Sequence, residues 1–311
     1  MLKCSNREHK IVYKIISILS IMESLVKKLV LGTVQFGLEY GINNKSGKPS
    51  RDESLKILDF AYKNGIKNFD TANAYGPAEE VLGEFCKKYN LYSKIKIITK
   101  VNHDIVAQLN ESLSRLKMQY VDGCLLHEPK DARNEKIIDS LKKLKDSGLV
   151  KNVGVSVYEP EDAVYAAKME GIDYVQIPYN IFDQRLNKTN FFELARKHGK
   201  KIFARSAFLQ GLLIMNEEKI PKHLKKAKFY LAKLDKIIAK YGFSRKQSAL
   251  RFLLENKNID YVVSGVDNKG QLKEIIDILK QDIDFSQCKK ELENEFKEVP
   301  KYIISPNLWK K

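Results

Sequence analysis

Four side chains in the sequence have the chemistry of a proton-transfer site, and each stands at or near the end of a short apolar run. In KNFDTANAYG (67–76), Asp70 ends one run and Tyr75 follows it, while Lys100 ends IKIITK and His127 ends VDGCLLH. A free tyrosine has a pKa of about 10 and donates protons poorly at neutral pH, but a nearby ammonium group favours the phenolate. We therefore expect Lys100 to lower the pKa of Tyr75, Asp70 to hold Lys100 in place, and the neutral imidazole of His127 to orient a carbonyl group.

This set suits a reaction in which a carbonyl oxygen takes up a proton, but it supplies nothing that attacks the carbonyl carbon. The sequence contains no Cys or Ser nucleophile with its own base, and no cluster with the spacing of metal ligands. A hydride from a nicotinamide cofactor would complete the reaction. A second enzymatic interpretation makes Lys100 the Schiff-base lysine of a lyase, although its place beside Asp70 and Tyr75 favours an amine that stays charged.

The elements that would position these residues alternate regularly from Lys28 onward. Short β-rich runs alternate with segments of helical period. Eight strands arranged in this way over roughly 250 residues are typical of a single closed parallel (β/α)8 TIM barrel, an α/β fold. An open doubly wound sheet is the alternative, but Gly32 and Gly37 lack the G-x-G-x-x-G spacing of its first turn. The predicted strands are 28–35, 66–70, 95–100, 121–127, 152–157, 173–178, 201–206 and 261–266. The predicted helices are 54–65, 78–90, 106–117, 135–148, 160–171, 191–200 and 231–242.

In a barrel of this kind the carboxyl ends of the strands form the active face. Adjacent parallel strands lie about 4.8 Å apart, so polar side chains at the ends of neighbouring strands converge on one patch. The polar residues at the predicted strand ends are Asp70, Tyr75, Lys100, His127, Ser156, Gln176, Asn180, Arg205 and Ser206.

Composition narrows the class of partner. The net charge is +16, but the lysines lie on the polar faces of predicted helices, as in LKKLKD (141–146), without the aromatic-interleaved basic stripe of nucleic-acid binding. No apolar stretch reaches the ~18 residues of a membrane span. The four cysteines are scattered, as expected of a protein in a reducing cytoplasm. We expect a small-molecule partner rather than nucleic acid or a membrane, and the sequence does not determine an oligomeric state.

The two ends of the chain stand apart from the barrel pattern. Residues 1–27 form an N-terminal extension. Its apolar run is too short for a signal peptide, and no cleavage site of small residues follows that run. The preferred interpretation is that translation starts at Met22, with the preceding residues not native or disordered; the alternative is an amphipathic helix on a membrane or on the domain. Residues 28–311 form the barrel domain and its C-terminal tail, whose Trp309 is expected to pack on the barrel rim rather than to wall a pocket.

Eight short motifs, taken in their order along the chain, resemble the aldo-keto reductase superfamily. The motifs are LGTVQFG, FDTANAYG, ITK, LLHEP, GVS, VQIPYN, QGLL and SGVDNKGQLKE, from about Lys28 to Lys280. The resemblance implies a TIM barrel that interconverts a carbonyl and an alcohol with NADP or NAD. It implies that Tyr75 is the general acid and base, that Asp70 and Lys100 tune it, and that His127 positions the carbonyl.

The resemblance also implies a set of cofactor-binding residues. Ser156 and Gln176 match the positions that hold the nicotinamide carboxamide, and residues 264–274 lie where the adenosine end is bound near a helix N-terminus. The candidate cofactor residues are Ser156, Gln176, Arg205, Ser206, Gly265, Gln271 and Glu274.

Several departures from the family pattern bear on specificity. Val157 stands where Asn is usual, and Arg205 replaces an aromatic residue, so its guanidinium is expected either to stack on the nicotinamide or to bind an acidic group of the substrate. Cationic residues are missing at Gly265 and Gln271, and an Asn is missing at Ile275.

We expect a weak preference for NADP, with use of NAD or of both, since Asp267 would repel a 2′-phosphate unless Lys269 compensates. A phosphorylated or carboxylated carbonyl compound, including a nucleotide-linked sugar, would suit Arg205 and the basic surface. A cofactor-binding sensor or regulatory subunit of the same fold is the non-enzymatic alternative, against which the complete set of four catalytic residues argues.

Overall fold

Residues 22–309 are described in the computed structural model, and their centre is a closed barrel of eight parallel strands that pair in chain order. The strands are β1 (Leu29–Gly32), β2 (Asn68–Asp70), β3 (Lys96–Val101), β4 (Val121–Leu126), β5 (Val150–Ser156), β6 (Tyr174–Pro178), β7 (Lys201–Arg205) and β8 (Tyr261–Gly265). β8 closes the barrel on β1, with Gly265 opposite Gly32. The predicted TIM barrel is confirmed, with a strand in each of the eight predicted segments, and the doubly wound alternative is wrong. The first strand is shorter than predicted: it ends at Gly32, and Val34 and Gln35 are helical.

Helices surround the strands. They are α1 (Val34–Gly37), α2 (Arg51–Lys63), α3 (Ala78–Tyr89), α4 (Ile105–Leu116), α5 (Glu135–Asp146), α6 (Pro160–Lys168), α7 (Phe191–Lys197), α8 (Ala227–Lys240), α9 (Arg245–Leu254), α10 (Lys269–Leu279), α11 (Ser286–Glu295) and α12 (Lys301–Ile304). The seven predicted helical segments are confirmed. Helix α9 was not among them, although Ser244 and Gln247 form a capping box at its start and that pattern is readable in the sequence.

Strand side chains alternate between the barrel interior and the surrounding helices. The outward-facing residues join one large core with the helices. A small second cluster consists of Val30, Ile98, Leu125, Phe203 and Val263. Since Ile98 belongs to this inner cluster, Lys100, two residues further along β3, points to the same side. The carboxyl end of the barrel therefore places polar groups directly above an apolar plug.

Both ends of the described part of the chain, residues 22–309, pack on the barrel. Residues 22–28 are helical, Leu25 is part of the main core, and Lys28 Nζ donates to Leu254 O at 3.2 Å. The rest of the predicted extension, residues 1–21, lies outside the described residues. Trp309 is buried in the main core and its Nε1 donates to Tyr302 O at 2.9 Å, so the expected packing is confirmed and the pocket-wall alternative is wrong. None of the helices within 22–309 has the length and apolar character to cross a membrane.

Candidate active site

A buried ion pair stands at the centre of the barrel mouth. Lys100 Nζ lies 2.6 Å from Asp70 Oδ1 and also donates to Thr71 O at 2.9 Å. The other carboxylate oxygen, Asp70 Oδ2, accepts a hydrogen bond from Gln176 Nε2 at 2.7 Å. Asp70 and Lys100 are only 4% and 2% exposed. A buried pair of this kind persists because its charges compensate each other and its remaining groups are hydrogen-bonded.

The loop after β2 carries Tyr75 back over this pair. Thr71 N and Asn73 N donate to Ile98 O and Lys100 O at 2.8 and 2.9 Å, which continues the β2–β3 pairing beyond the strand, and Tyr75 N then closes a turn onto Ala72 O. The Tyr75 ring centroid lies 5.1 Å from Lys100 Nζ. It also lies 6.0 Å from the His127 ring centroid, at an interplanar angle of 81°. The structure therefore brings the four predicted catalytic residues together.

Two glycines allow the loop to take this path. A Cβ at Gly37 would lie 1.6 Å from Tyr75 O, so no other residue fits at the end of α1 while Tyr75 keeps its place. Gly76 follows with φ +51°, a left-handed conformation that favours glycine. The motif LGTVQFG thus contributes to the position of Tyr75 through a close backbone approach.

Sequence reasoning missed the residues that hold this loop from outside the barrel. Asn73 Nδ2 donates to Gln108 O at 3.2 Å and to Ser112 Oγ at 3.3 Å, and Arg115 donates to Asn73 O at 3.1 Å. These contacts fix the loop to α4 on the side opposite the cavity. The only available signal was the Asn within FDTANAYG, and its partners are more than thirty residues away in the chain.

A buried carboxylate joins α3 to α4 through the same arginine, Arg115. Glu79 is fully buried, accepts from Thr99 Oγ1 at 2.6 Å, and lies 3.6 Å from an Arg115 nitrogen. Burial raises the pKa of Glu79, and its hydrogen bonds and Arg115 oppose that rise. Arg115 therefore links the loop of Tyr75 to a buried acidic group beside the outer face of β3.

The two titratable rings have shifted pKa values. Burial, and then the charge of Lys100, lowers the pKa of His127 to about 4, so its imidazole is neutral at neutral pH, as predicted. Burial, and then the charge of Asp70, raises the pKa of Tyr75. The prediction that Lys100 lowers this pKa is therefore wrong: Asp70 compensates the ammonium charge, and the cation that opposes the rise is Arg205.

A cavity extends from this cluster across the barrel mouth to the start of α10. Of the predicted cofactor residues, it is lined by Gln176, Arg205, Ser206, Gly265 and Gln271. Asp70 and Tyr75 border it, whereas Lys100, His127 and Ser156 are not part of the lining. Of the candidate cofactor residues, Ser156 and Glu274 are both outside the lining, and Glu274 lies at the surface. Its side chain is 58% exposed and forms an ion pair with Lys246.

The far end of the cavity has open hydrogen-bonding capacity. Gln35 Oε1 and Ser264 Oγ are buried there without a partner in the part of the chain that the structure describes. A Cβ at Gly265 would lie 2.2 Å from Gln35 Oε1, so glycine keeps this wall clear. Helix α10 begins beside it, and a helix N-terminus favours anionic groups. These features fit an elongated polar ligand such as a nicotinamide dinucleotide.

Two charged residues near α10 have partners of their own. Asp267 lines the cavity and exchanges two hydrogen bonds with Gln271, at 2.8 and 3.1 Å. Lys269 Nζ lies 4.9 Å from the centroid of the Phe60 ring. Lys269 thus packs on an aromatic face and makes no ion pair with Asp267.

Arg205 is held at the near end of the cavity without a carboxylate partner. It donates to Val157 O at 3.0 Å and to Ser206 Oγ at 3.3 Å, and its guanidinium carbon lies 4.6 Å from the Tyr158 ring centroid. No ion pair involves Arg205 within residues 22–309. Its charge therefore remains available to whatever occupies the cavity.

Comparison with known proteins agrees with this geometry. Residues 28–291 match the model of the Aldo/keto reductase family. The aldo-keto reductase YhdN of Bacillus subtilis is 27% identical over 266 residues, which cover 75% of this chain and 80% of YhdN. The L-glyceraldehyde 3-phosphate reductase of Escherichia coli K12 is 27% identical over 290 residues, covering 78% and 83%. The holo structure of an aldo-keto reductase from Bacillus halodurans superposes with a TM-score of 0.73 at 19% identity, covering 89% and 95%, and so supports the fold.

Proposed function

Because the chain belongs to the aldo/keto reductase family, we propose that it is an NAD(P)H-dependent oxidoreductase that interconverts a carbonyl and an alcohol, with Tyr75 as the general acid and base. The observation that carries this proposal is the packing of Tyr75 against both Lys100 and His127 at the mouth of the barrel. The Lys100–Asp70 ion pair also argues against a Schiff-base lyase, since its amine is engaged on both Asp70 and Thr71.

In the direction of reduction, the raised pKa of Tyr75 keeps its phenol protonated and ready to donate to the carbonyl oxygen. Neutral His127 can donate one ring N–H to the same oxygen and fix its position. Asp70 and Lys100 fix this arrangement through three hydrogen bonds. One joins the two residues, one runs from Lys100 to Thr71 O, and one runs from Gln176 to Asp70. The bound nicotinamide would supply the hydride.

For the cofactor, we propose that Ser156 and Gln176 hold the carboxamide. Gln176 already donates through Nε2 to Asp70, and its Oε1 has no partner in residues 22–309, so that oxygen can accept from an amide N–H. Gly265 and Gln271 border the space for the adenosine end, and Glu274 can reach it only from the surface. Ser206 borders the near end, beside Arg205.

We also propose a weak preference for NADPH, with use of NADH or of both. Asp267 borders the cavity, and Lys269, which could have compensated it, lies over Phe60. Titration of the protein with NADH and NADPH by fluorescence would measure the two dissociation constants. A preference for NADPH of about a hundredfold, or about 2.7 kcal/mol, would contradict the proposal.

The substrate we propose is a small carbonyl compound, a sugar or another anionic metabolite. One relative, the Escherichia coli enzyme, is named for its reduction of a phosphorylated aldehyde. A cytoplasmic location belongs to the same proposal.

The test is Tyr75→Phe, which removes the transferable proton and keeps the ring. We expect kcat for reduction of aldehydes to fall by about 10²–10⁴, the usual contribution of general acid catalysis. The dissociation constants for NADH and NADPH should stay within about threefold, because the phenol is not proposed to bind the cofactor. A variant that reduces aldehydes as fast as the parent would exclude Tyr75 as the proton donor and favour a sensor or regulatory subunit.

A further inference from the structure

We propose that Arg205 and Tyr40 form an anion-binding subsite that selects carbonyl substrates carrying a carboxylate or phosphate group. This inference rests on the proposed function, and it assigns Arg205 to the substrate rather than to the nicotinamide. Three features carry it: a guanidinium that forms no ion pair within residues 22–309, its fixed orientation in the cavity beside Tyr75, and the hydrogen-bond donors around it.

Arg205 differs from the neighbouring charged residues because it forms no ion pair within residues 22–309. Lys100, at the same barrel mouth, is paired with Asp70 at 2.6 Å. Arg205 helps to lower the pKa of Asp183 against the effect of burial, but the ion-pair partner of Asp183 is Arg185, at 2.8 Å. A partly buried cation without a counter-ion carries a desolvation cost, which an acidic group entering the cavity would offset.

Arg205 is also prepared for binding. A guanidinium has five N–H donors, of which Arg205 uses two, on Val157 O and Ser206 Oγ, and three remain. These bonds and the Tyr158 ring hold the side chain in place before a ligand arrives. A pre-oriented guanidinium loses little conformational entropy on binding and matches the two oxygens of a carboxylate or phosphate.

The neighbouring groups add donors. The Tyr40 hydroxyl accepts a hydrogen bond from Gln210 Nε2 at 3.3 Å, so its own proton is free to point at a ligand. The side chains of Asn43 and Asn44 belong to the same lining. The two carboxylates that line the cavity are engaged elsewhere, Asp70 by Lys100 and Gln176, and Asp267 by Gln271. The region around Arg205 therefore presents positive charge and donors to the cavity.

The segment after β7 fixes this arrangement. The backbone φ angles of Ser206, Leu209 and Gln210 are +67°, +48° and +52°. Residues other than glycine rarely adopt such positive values. Such conformations are strained and cluster at ligand sites. Here they place Ser206 beside the guanidinium and Gln210 beside Tyr40.

Stacking of Arg205 on the nicotinamide is less compatible with its positive charge than binding of a substrate anion. A guanidinium laid on the oxidised ring would face a second positive charge in a partly desolvated site, and like charges repel strongly there. The Arg205 guanidinium already lies against an aromatic ring, with its carbon 4.6 Å from the Tyr158 centroid. A substrate anion satisfies the charge of Arg205, whereas the oxidised ring does not.

The test compares matched aldehydes in steady-state reduction with NADH and NADPH. Succinic semialdehyde is paired with butanal, and glyceraldehyde 3-phosphate with glyceraldehyde. We expect the parent enzyme to favour the acidic member of at least one pair in kcat/KM by about tenfold or more, as for a charge-assisted hydrogen bond. The pair that shows the preference identifies the acidic group as carboxylate or phosphate.

Arg205→Met should remove this preference. We expect kcat/KM for the acidic aldehyde to fall by about 10- to 100-fold, and that for the neutral aldehyde to change less than about threefold. The matched control is Arg133→Met. Arg133 also lies over a tyrosine, with its guanidinium carbon 4.7 Å from the Tyr165 ring, but it is paired with Asp162 at 2.8 Å and is not part of the cavity lining. The control should leave both aldehydes unaffected.

Two results would overturn the inference while leaving the proposed function intact. The first is a parent enzyme that reduces neutral aldehydes as well as their acidic partners. The second is an Arg205→Met variant that loses both members of a pair equally and binds NADH or NADPH more weakly in a fluorescence titration, as a nicotinamide-stacking residue would. If the parent reduces no aldehyde of either kind with either cofactor, both the subsite and the proposed function are wrong.

Discussion

Two cations lie at the same barrel mouth and differ in what surrounds them. Lys100, at the end of β3, is 2% exposed and has Asp70 and a backbone carbonyl as partners. Arg205, at the end of β7, is partly buried, and its partners among residues 22–309 are neutral oxygens and an aromatic ring. The first charge is neutralised within the protein, and the second is left for a ligand.

The comparison separates a fixed half of the mouth from an open half. Around Lys100, the loop of Tyr75 is anchored by backbone pairing to β3 and by Asn73 to α4. Arg205 lines the cavity and uses two of its five N–H donors within residues 22–309. The proposed catalytic groups need a fixed geometry, whereas the proposed subsite needs free hydrogen-bond donors. The barrel supplies the two from opposite strands, β3 and β7.

The largest expected effect is on stability. Lys100→Met leaves the buried carboxylate of Asp70 without its counter-charge, so the free energy of unfolding should fall by about 3–5 kcal/mol. Arg205→Met leaves no buried carboxylate without its ion-pair partner in the described residues, and it should change the free energy of unfolding by less than about 1 kcal/mol. Urea unfolding of both variants at neutral pH measures this. Equal destabilisation by the two substitutions would contradict the division into a fixed and an open half.

The second effect is the acid sensitivity of the fixed half. The pKa of His127 is about 4 in the folded protein, below its unfolded value, so the unfolded chain binds more protons and stability is lost as pH falls from about 6.5 to 4. At about pH 4.5 the loss should be roughly 2 kcal/mol relative to pH 7. In His127→Gln this part of the pH dependence should disappear. An unchanged difference between the two pH values would show that His127 does not titrate as inferred.

A smaller effect is expected from the outer anchor of the catalytic loop. Asn73→Ala removes the hydrogen bonds to Gln108 and Ser112, and we expect kcat to fall about tenfold with unchanged NADPH affinity, since misplaced catalytic groups slow the reaction without weakening cofactor binding. The control is Asn134→Ala, which removes the N-cap of α5 and should cost a similar ~1 kcal/mol of stability without lowering kcat. A normal kcat in Asn73→Ala would exclude its positioning role.

The smallest effect concerns the open half alone. Salt screens exposed and partly exposed charges, so KM for the favoured acidic aldehyde should rise a few-fold between roughly 0.05 and 0.5 M KCl. The neutral aldehyde, and either aldehyde with Arg205→Met, should show little change. If salt affects acidic and neutral aldehydes alike, the charge of Arg205 does not act on the substrate.

The sequence by itself determined the barrel and the identities of the four catalytic candidates. Strand and helix periodicity follow from local side-chain patterns, and the carboxyl end of each strand can be read from where its apolar run stops. Asp70, Lys100 and His127 all stand at such ends, so their convergence followed from the strand order. The capping box of α9 was equally local, and its omission was a missed signal rather than missing information.

Only the tertiary structure decided the electrostatics and the supporting contacts. The direction of the Tyr75 pKa depends on burial and on Asp70 relative to Arg205, which are separated by most of the barrel in sequence. The contacts of Asn73 with α4, of Glu79 with Thr99 and Arg115, and of Gly37 with Tyr75 join residues distant in the chain. Whether a charge is paired depends on the positions of all neighbouring groups. Arg205 acquires its significance only because no carboxylate in the described part of the chain pairs with it.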